Sequence, residues 1–209
     1  MLRLSALLIA LVLVPACLEA QDIPARRLTA REVPAGLAVR GVVEAGRRWR
    51  DENGENVLLL TRTREAWTGD VRAREIHAYH YVRSGAAYRL LWHATDFIRE
   101  CPVDVMLEYA PGSLRITDVD ADGVAETSFV YALACHGGVD PATLKLILHE
   151  GATKYAIRGT TDLRSLAPGY PPPEMRLDPT LARAPSLRAL AERQWRRFVR
   201  QPQWPKGAP

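Results

Sequence analysis

Lysine is scarce in this chain: Lys145, Lys154 and Lys206 are the only three, and the other 25 of its 28 basic residues are arginine. Arginine-rich codon usage gives the same bias, and the arginines are interleaved with 24 acidic residues, so a formal net charge of +4 does not by itself mark a nucleic-acid partner. Only the C-terminal part concentrates them, with eight basic residues against three acids from Pro171 onward. Long apolar runs are missing after residue 20, which excludes a later membrane-spanning helix. Helical patterns of ten or more residues are missing between the strand-like runs, which disfavours parallel βαβ units and a Rossmann reading. No Gly-x-Ser-x-Gly elbow, phosphate-cradling glycine loop or His-Glu-x-x-His is present. The five histidines also lack a ligand spacing. His77 and His80 stand three apart in a strand-like run and point to opposite faces, and His93, His136 and His149 have no paired neighbour, so zinc is not expected.

The N-terminus is read as an export signal over residues 1–20: a positive start at Arg3, an apolar run over 7–14, then Pro15, Ala16 and charge at Glu19. The run is shorter than the roughly 20 residues a bilayer span requires. Two processing routes stay open. Cleavage after Ala20 leaves Gln21 first; alternatively Val14-Pro15-Ala16-Cys17 is similar to a lipobox, which would make Cys17 the lipidated first residue and the only membrane contact. The expected location is therefore periplasmic, or the outer membrane or cell surface as a lipoprotein. With Cys17 removed or lipidated, Cys101 and Cys135 remain, and an even count in an exported chain reads as a disulfide. It would close a loop of about 35 residues, a constraint of roughly 3–4 kcal/mol in the chain-entropy treatment.

Residues 21–37 carry Pro24 and Pro34 and read as a tether or irregular edge. Residues 38–165 read as one β domain. Strand-like runs lie at 57–61, 76–82, 88–94, 105–109, 113–117, 127–133, 144–148 and 154–158. Turn signals lie between them at Glu52-Asn53-Gly54, Ser84-Gly85, Pro111-Gly112 and Glu150-Gly151. The expectation is a mainly β fold of short antiparallel strands. Residues 166–185 hold six prolines and read as an extended linker, and 201–209 as a tail. Between them 186–200 reads as an amphipathic helix with Ser186 as N-cap and Leu187, Leu190, Ala191, Trp195 and Phe198 on one face. Arg188, Arg193, Arg196, Arg197 and Arg200 lie elsewhere on it, either as a solvated surface or as a contact for a membrane surface or anionic polymer.

The stretch Asp118-Val119-Asp120-Ala121-Asp122-Gly123-Val124-Ala125-Glu126 carries the clearest chemistry. Calcium takes six to eight oxygen ligands. Carboxylates at positions 1, 3 and 5 (Asp118, Asp120, Asp122) can converge on it. Gly123 permits the bend, Val124 offers a backbone carbonyl and Glu126 a further carboxylate. An EF-hand would place a glutamate at position 12, where Phe129 stands, and would need helical flanks, whereas these flanks alternate as strands. A strand–loop–strand site with a structural Ca2+ is the expectation. The loop resembles the FG-GAP or VCBS repeat, whose propeller blades carry Asp-x-Asp-x-Asp-Gly followed by an acid and a strand. That likeness implies sheets resembling propeller blades; one copy supports a single blade-like sheet rather than a whole propeller.

A broader resemblance covers residues 76–159. The order His-Ala-Tyr-His-Tyr-Val (77–82), Leu-Leu-Trp (90–92), Asp-Phe (96–97), Cys-Pro (101–102), the Asp-rich loop, Leu-Ala-Cys (133–135), Thr-Leu-Lys-Leu-Ile (143–147) and Glu-Gly-x-x-Lys-Tyr-Ala-Ile-Arg-Gly (150–159) is similar to a family of exported bacterial proteins. Some of its members are labelled surface polysaccharide biosynthesis protein. The resemblance implies only that label, which names no reaction; a cell-envelope component or polysaccharide is the expected partner. Two functions are expected from different classes: a non-catalytic calcium-stabilised β domain at the cell envelope, or a carbohydrate-active enzyme with a carboxylate pair drawn from Asp96, Glu100, Asp104 and Glu108. Trp67, Tyr79, Tyr81 and Trp92 either line a glycan groove or pack in the sheets.

Overall fold

The computed structural model describes residues 21–166 and 168–200. The signal segment with Cys17 and the 201–209 tail lie outside the described residues. In chain order the strands are β1 (Gln21–Asp22), β2 (Arg26–Arg27), β3 (Val42–Asp51), β4 (Gly54–Arg62), β5 (Ala66–Thr68), β6 (Val71–Ser84), β7 (Ala87–Cys101), β8 (Val105–Tyr109), β9 (Arg115–Asp118), β10 (Glu126–Cys135), β11 (Thr143–Glu150), β12 (Thr153–Thr160) and β13 (Met175–Leu177), followed by helix α1 (Pro185–Phe198). They form two antiparallel sheets. One runs β2-β3-β4-β6-β7, with β5 beside β4 on the same edge of β6; the other runs β1-β9-β10-β11-β12-β13, with β8 beside β9 on the same edge of β10. The fold is mainly β with one C-terminal helix, as the pattern of short runs and turns indicated.

The two sheets pack face to face. Trp49, Leu58, Leu60, Ile76, Ala78 and Trp92 of one meet Leu107, Ile116, Phe129, Tyr131, Ile147 and Ala156 of the other. Each sheet also buries its other face, which is why β4 has six consecutive buried residues and β6 seven instead of a strict alternation. Behind β4 and β6, Val57, Leu59, Tyr79 and Tyr81 are covered by Leu28, Val33, Leu37 and Val39. Behind the second sheet, Val130, Ala132, Leu144, Leu146, Leu148 and Ile157 are covered by Leu181 and by Leu187, Leu190, Ala191 and Trp195 of α1. At roughly 1.5–3 kcal/mol for each fully buried large apolar side chain, both covers are integral to the fold.

Residues 21–37, read as a tether or irregular edge, lie at the edges of both sheets, with β1 paired to β9 and β2 to β3. Three other readings of the sequence are corrected here. The 166–185 linker is docked as well: β13 pairs with β12, and Leu181 is fully buried. Its approach needs Gly159, where a Cβ atom would lie 1.9 Å from the Glu174 carbonyl oxygen. Helix α1 begins at Pro185 rather than behind a Ser186 cap; Ala184 is the N-cap, and proline suits the first helical position because its missing N–H is not needed there. Finally, Pro111-Gly112 does not fold β8 back onto β9. Both strands run antiparallel to β10 on the same side, so this pair kinks one continuing edge. At the kink the Ser113 hydroxyl accepts from the Val130 N–H at 3.0 Å, and the Ser113 carbonyl accepts from Gln194 Nε2 of α1.

The expected disulfide is present. Cys101 at the end of β7 is bonded to Cys135 at the end of β10, with 5.7 Å between Cα atoms, so the bridge joins the two sheets.

The face between the sheets also holds a polar island. His80 Nε2 lies 2.9 Å from Asn56 Oδ1. The Asn56 amide nitrogen donates to Asp51 and to the Gly54 carbonyl, so His80 must be the donor to Asn56 and is held as the Nε2–H tautomer. His149 stacks on Trp92 at 3.9 Å. Burial pushes His80 and His149 down to about 3. An unfolded histidine protonates near 6.5, so between those values the unfolded chain binds more protons and stability falls as pH drops. Urea unfolding at pH 7 and pH 4 is expected to show a loss on the order of 3 kcal/mol per histidine; His80→Gln should reduce the pH 7 to pH 4 difference, and an unchanged difference would refute the assignment.

Candidate functional site

The Asp118 loop joins the end of β9 to the start of β10, and the strand ends bring its acids together. Asp118, Asp120 and Glu126 each place a carboxylate oxygen within 4.8 Å of the others, and Asp120, Asp122 and Glu150 do the same, so Asp120 belongs to both groups. These are the two acidic clusters among the described residues with a geometry that could hold a metal ion.

Each acid is held differently. Glu126 is fully buried. It accepts from the Thr117 hydroxyl at 2.7 Å and from the Val119 N–H at 3.1 Å. Burial pushes its carboxyl up to about 7 against the effect of those donors, and the Asp120 and Asp118 charges add to the rise. Asp118 is half-buried. Its Oδ2 accepts from the Gly123 N–H at 3.2 Å, while its Oδ1 is buried without a hydrogen-bond partner among the described residues. Asp122 accepts from the Val124 N–H at 2.7 Å, closing a tight turn. Asp120 is exposed, and nothing but other carboxylates surrounds it in the two groups. Glu150 is raised by burial first and then by Asp120 and Asp122.

The loop is also docked onto the other sheet. The Ala125 N–H donates to Asp51 Oδ2 at 3.2 Å, and the Glu52 N–H at the β3–β4 turn donates to the Gly123 carbonyl at 2.9 Å. Asp51 in turn accepts from Trp49 Nε1 at 2.9 Å and from Asn56 Nδ2 at 2.8 Å. Val119 points the other way, into the core under α1. One loop thus touches both sheets.

The four acids Asp118, Asp120, Asp122 and Glu126 do assemble, and Val124 sits in the turn with its N–H used by Asp122. Sequence reasoning missed Glu150. Its signal was a hairpin register: with Gly137-Gly138 near the centre of the β10–β11 connection, Glu126 falls opposite Glu150, which is the observed pairing. Glu150 supplies from a neighbouring strand the late acid that the loop lacks at Phe129.

Three of the four carboxylates considered for glycoside chemistry are engaged by neighbouring side chains. Asp96 accepts from the Tyr131 hydroxyl at 2.8 Å and from Lys145. Asp104 is bound to Arg72 at 2.7 Å, and Glu108 lies 3.7 Å from Arg62. Glu100 is exposed on a left-handed backbone at φ 55°. The crevice beside Asp96 has a volume of about 20 Å³, room for one water. His77 and His80 do face opposite ways: His77 Nδ1 meets His93 Nε2 at 3.2 Å on the outer side, while His80 lies between the sheets. Tyr79, Tyr81 and Trp92 are buried, and Trp67 alone of that aromatic set is exposed.

The docking disfavours a side chain at position 123. Gly123 adopts φ +83°, and a Cβ atom there would lie 2.6 Å from Glu52 Cγ. Gly123→Ala is expected to cost about 1–3 kcal/mol in chemical denaturation and to raise amide exchange at Ala125; an unchanged midpoint would refute the docked loop. No family model, no curated protein and no solved structure matches the chain.

Proposed function

We propose that this protein is an exported, non-catalytic β domain of the bacterial cell envelope, stabilised by calcium at the Asp118 loop and serving surface-polysaccharide handling. The observation that carries this reading is two groups of carboxylates that share Asp120, four acids from the loop and Glu150 from β11, one of them fully buried and another with a buried oxygen left unpartnered among the described residues. Calcium–oxygen distances of roughly 2.3–2.6 Å keep ligand oxygens within about 5 Å of one another, and both acidic groups meet that limit. Hard carboxylate and carbonyl oxygens, with no histidine or cysteine among them, suit calcium rather than zinc. Asp118, Asp120, Asp122, Glu126 and Glu150 would hold the ion with the Val124 carbonyl, and the ion would supply the positive charge that these acids otherwise lack. The role is structural. Asp118 and Glu126 secure the two strand ends, and Asp120 bridges towards Glu150 on β11. Export and the polysaccharide link rest on the leader pattern and on the resemblance over 76–159; an oxidising, calcium-rich compartment also suits the Cys101–Cys135 bridge.

Calorimetric titration of the purified protein with CaCl2 is expected to give one site with a Kd of roughly 10⁻⁴–10⁻³ M, the range of extracellular calcium modules. Thermal unfolding should shift upward with millimolar calcium. Asp120→Asn should abolish both responses while leaving the calcium-free protein as stable as the original or more so, because one of the crowded like charges is gone. No heat at millimolar calcium, or an Asp120→Asn protein that still responds, sinks the assignment.

A further inference from the structure

We propose that the outward face of α1 is a binding surface for a carboxylate-bearing polysaccharide, gripped by Arg193, Arg196 and Arg197. Residues 185–200 hold five arginines and one glutamate, a surplus of four, which equals the formal net charge of +4 of the entire chain. Everything outside this segment, α1 and the two residues that follow it, is therefore electrically balanced. The helix buries Leu187, Leu190, Ala191, Gln194 and Trp195 on the sheet, and Arg188, Arg193, Arg196, Arg197 and Arg200 are exposed. Arg193, Arg196 and Arg197 stand at i, i+3 and i+4, so they form one stripe on the side away from the sheet. Among the described residues the helix's one acid, Glu192, is bound to Arg188 at 2.7 Å and lies 3.8 Å from Arg196, and no carboxylate reaches Arg193 or Arg197. Residues 201–209 contain no acid that could neutralise them.

Helix stability explains only part of the placement. Cations favour the C-terminal end of a helix, which suits Arg196 and Arg197 in the last turn but not Arg193 in the middle or Arg188 near the N-terminal end. The chemistry of the partner follows from what the face lacks. None of the large exposed apolar side chains lies on α1, and its apolar face is already committed to the sheet. An interfacial helix binds a bilayer by burying that apolar face, so a lipid surface is not the match. A stripe of planar guanidinium forks suits repeated carboxylates, each of which can accept two parallel hydrogen bonds. The inference relies on the proposed envelope role only for where such a polymer is met, and it does not need the calcium loop.

Affinity electrophoresis of the purified protein in gels containing polygalacturonate is expected to retard it, with retardation lost at about 0.5 M NaCl, where surface charges are screened. Dextran gels should leave it unaffected. The triple variant Arg193→Gln/Arg196→Gln/Arg197→Gln should weaken polygalacturonate binding by about tenfold or more. Arg31→Gln/Arg50→Gln/Arg89→Gln, which removes the same charge from other exposed positions, should leave it unchanged. Circular dichroism and melting temperature confirm that both variants fold. EDTA should not alter the retardation, which keeps this result separate from that of the calcium titration. Absence of retardation, an equal loss in both triple variants, or stronger binding to phosphatidylglycerol vesicles than to the polymer overturns the proposal.

Discussion

A fully buried carboxyl group, that of Glu126, is the constraint around which this end of the molecule is arranged. Taking a carboxylate out of water costs several kcal/mol unless hydrogen bonds or an opposite charge compensate. Here the compensation is partial. The Thr117 hydroxyl and the Val119 N–H donate to it, but the nearest charges, Asp120 and Asp118, are of its own sign. The group therefore stays protonated up to about pH 7 or requires a cation. A proton would satisfy Glu126 alone. It would leave the buried, unpartnered Asp118 Oδ1 and the crowding of Asp120, Asp122 and Glu150 as they are. One multivalent cation would address all of them together, and this is what supports the proposed metal site over a solvated acidic turn.

The second organising fact is that both sheets are buried on both faces. A sheet with one wet face needs only its partner sheet. Here each outer face carries apolar side chains, so the N-terminal segment must cover one and the α1 region the other. Under α1 a buried polar group answers a backbone demand. Gln194, buried on α1, meets Ser128 and Ser113 at the point where the β8–β9 edge kinks and leaves backbone groups to satisfy. The helix is thus fitted to a defect in the strand, and its outer side is left free to carry charge.

What could be read from the sequence depended on whether the signal was local. The spacing of Asp118, Asp120, Asp122 and Glu126, the turns at Gly54, Gly85 and Gly151, and the apolar stripe of α1 all act within a few residues, and all appear in the fold. β3 was missed because Arg47, Arg48 and Arg50 mask its period, with Gly46 and Trp49 its only buried residues. The Pro111-Gly112 kink was misread because the same dipeptide starts a hairpin when the next strand folds back, and here Ser113 lets the edge continue. The 21–37 and 166–185 segments read as loose because their proline content is local, while Leu28 and Leu181 are buried by distant partners. Glu150 needed a strand register, a property of two segments rather than of one.

The two sheets meet mainly through apolar contacts, which favour burial but are non-directional, and hydrogen bonds from Tyr131 and Lys145 to Asp96 cross between them. β10 adds a tie at each of its ends. At its C-terminal end Cys135 is bonded to Cys101 of the opposite sheet. At its N-terminal end Glu126 anchors a loop whose backbone is hydrogen-bonded to Asp51 and Glu52 of that same sheet. These ties stand about 30 Å apart, the length of a ten-residue strand. Two fixed points on one line prevent both sliding and splaying, which a single tie at either end would permit. One tie is covalent and answers to redox conditions; the other depends on the charge state of the acidic cluster. Placed at opposite ends of β10, they hold the two sheets together along its whole length.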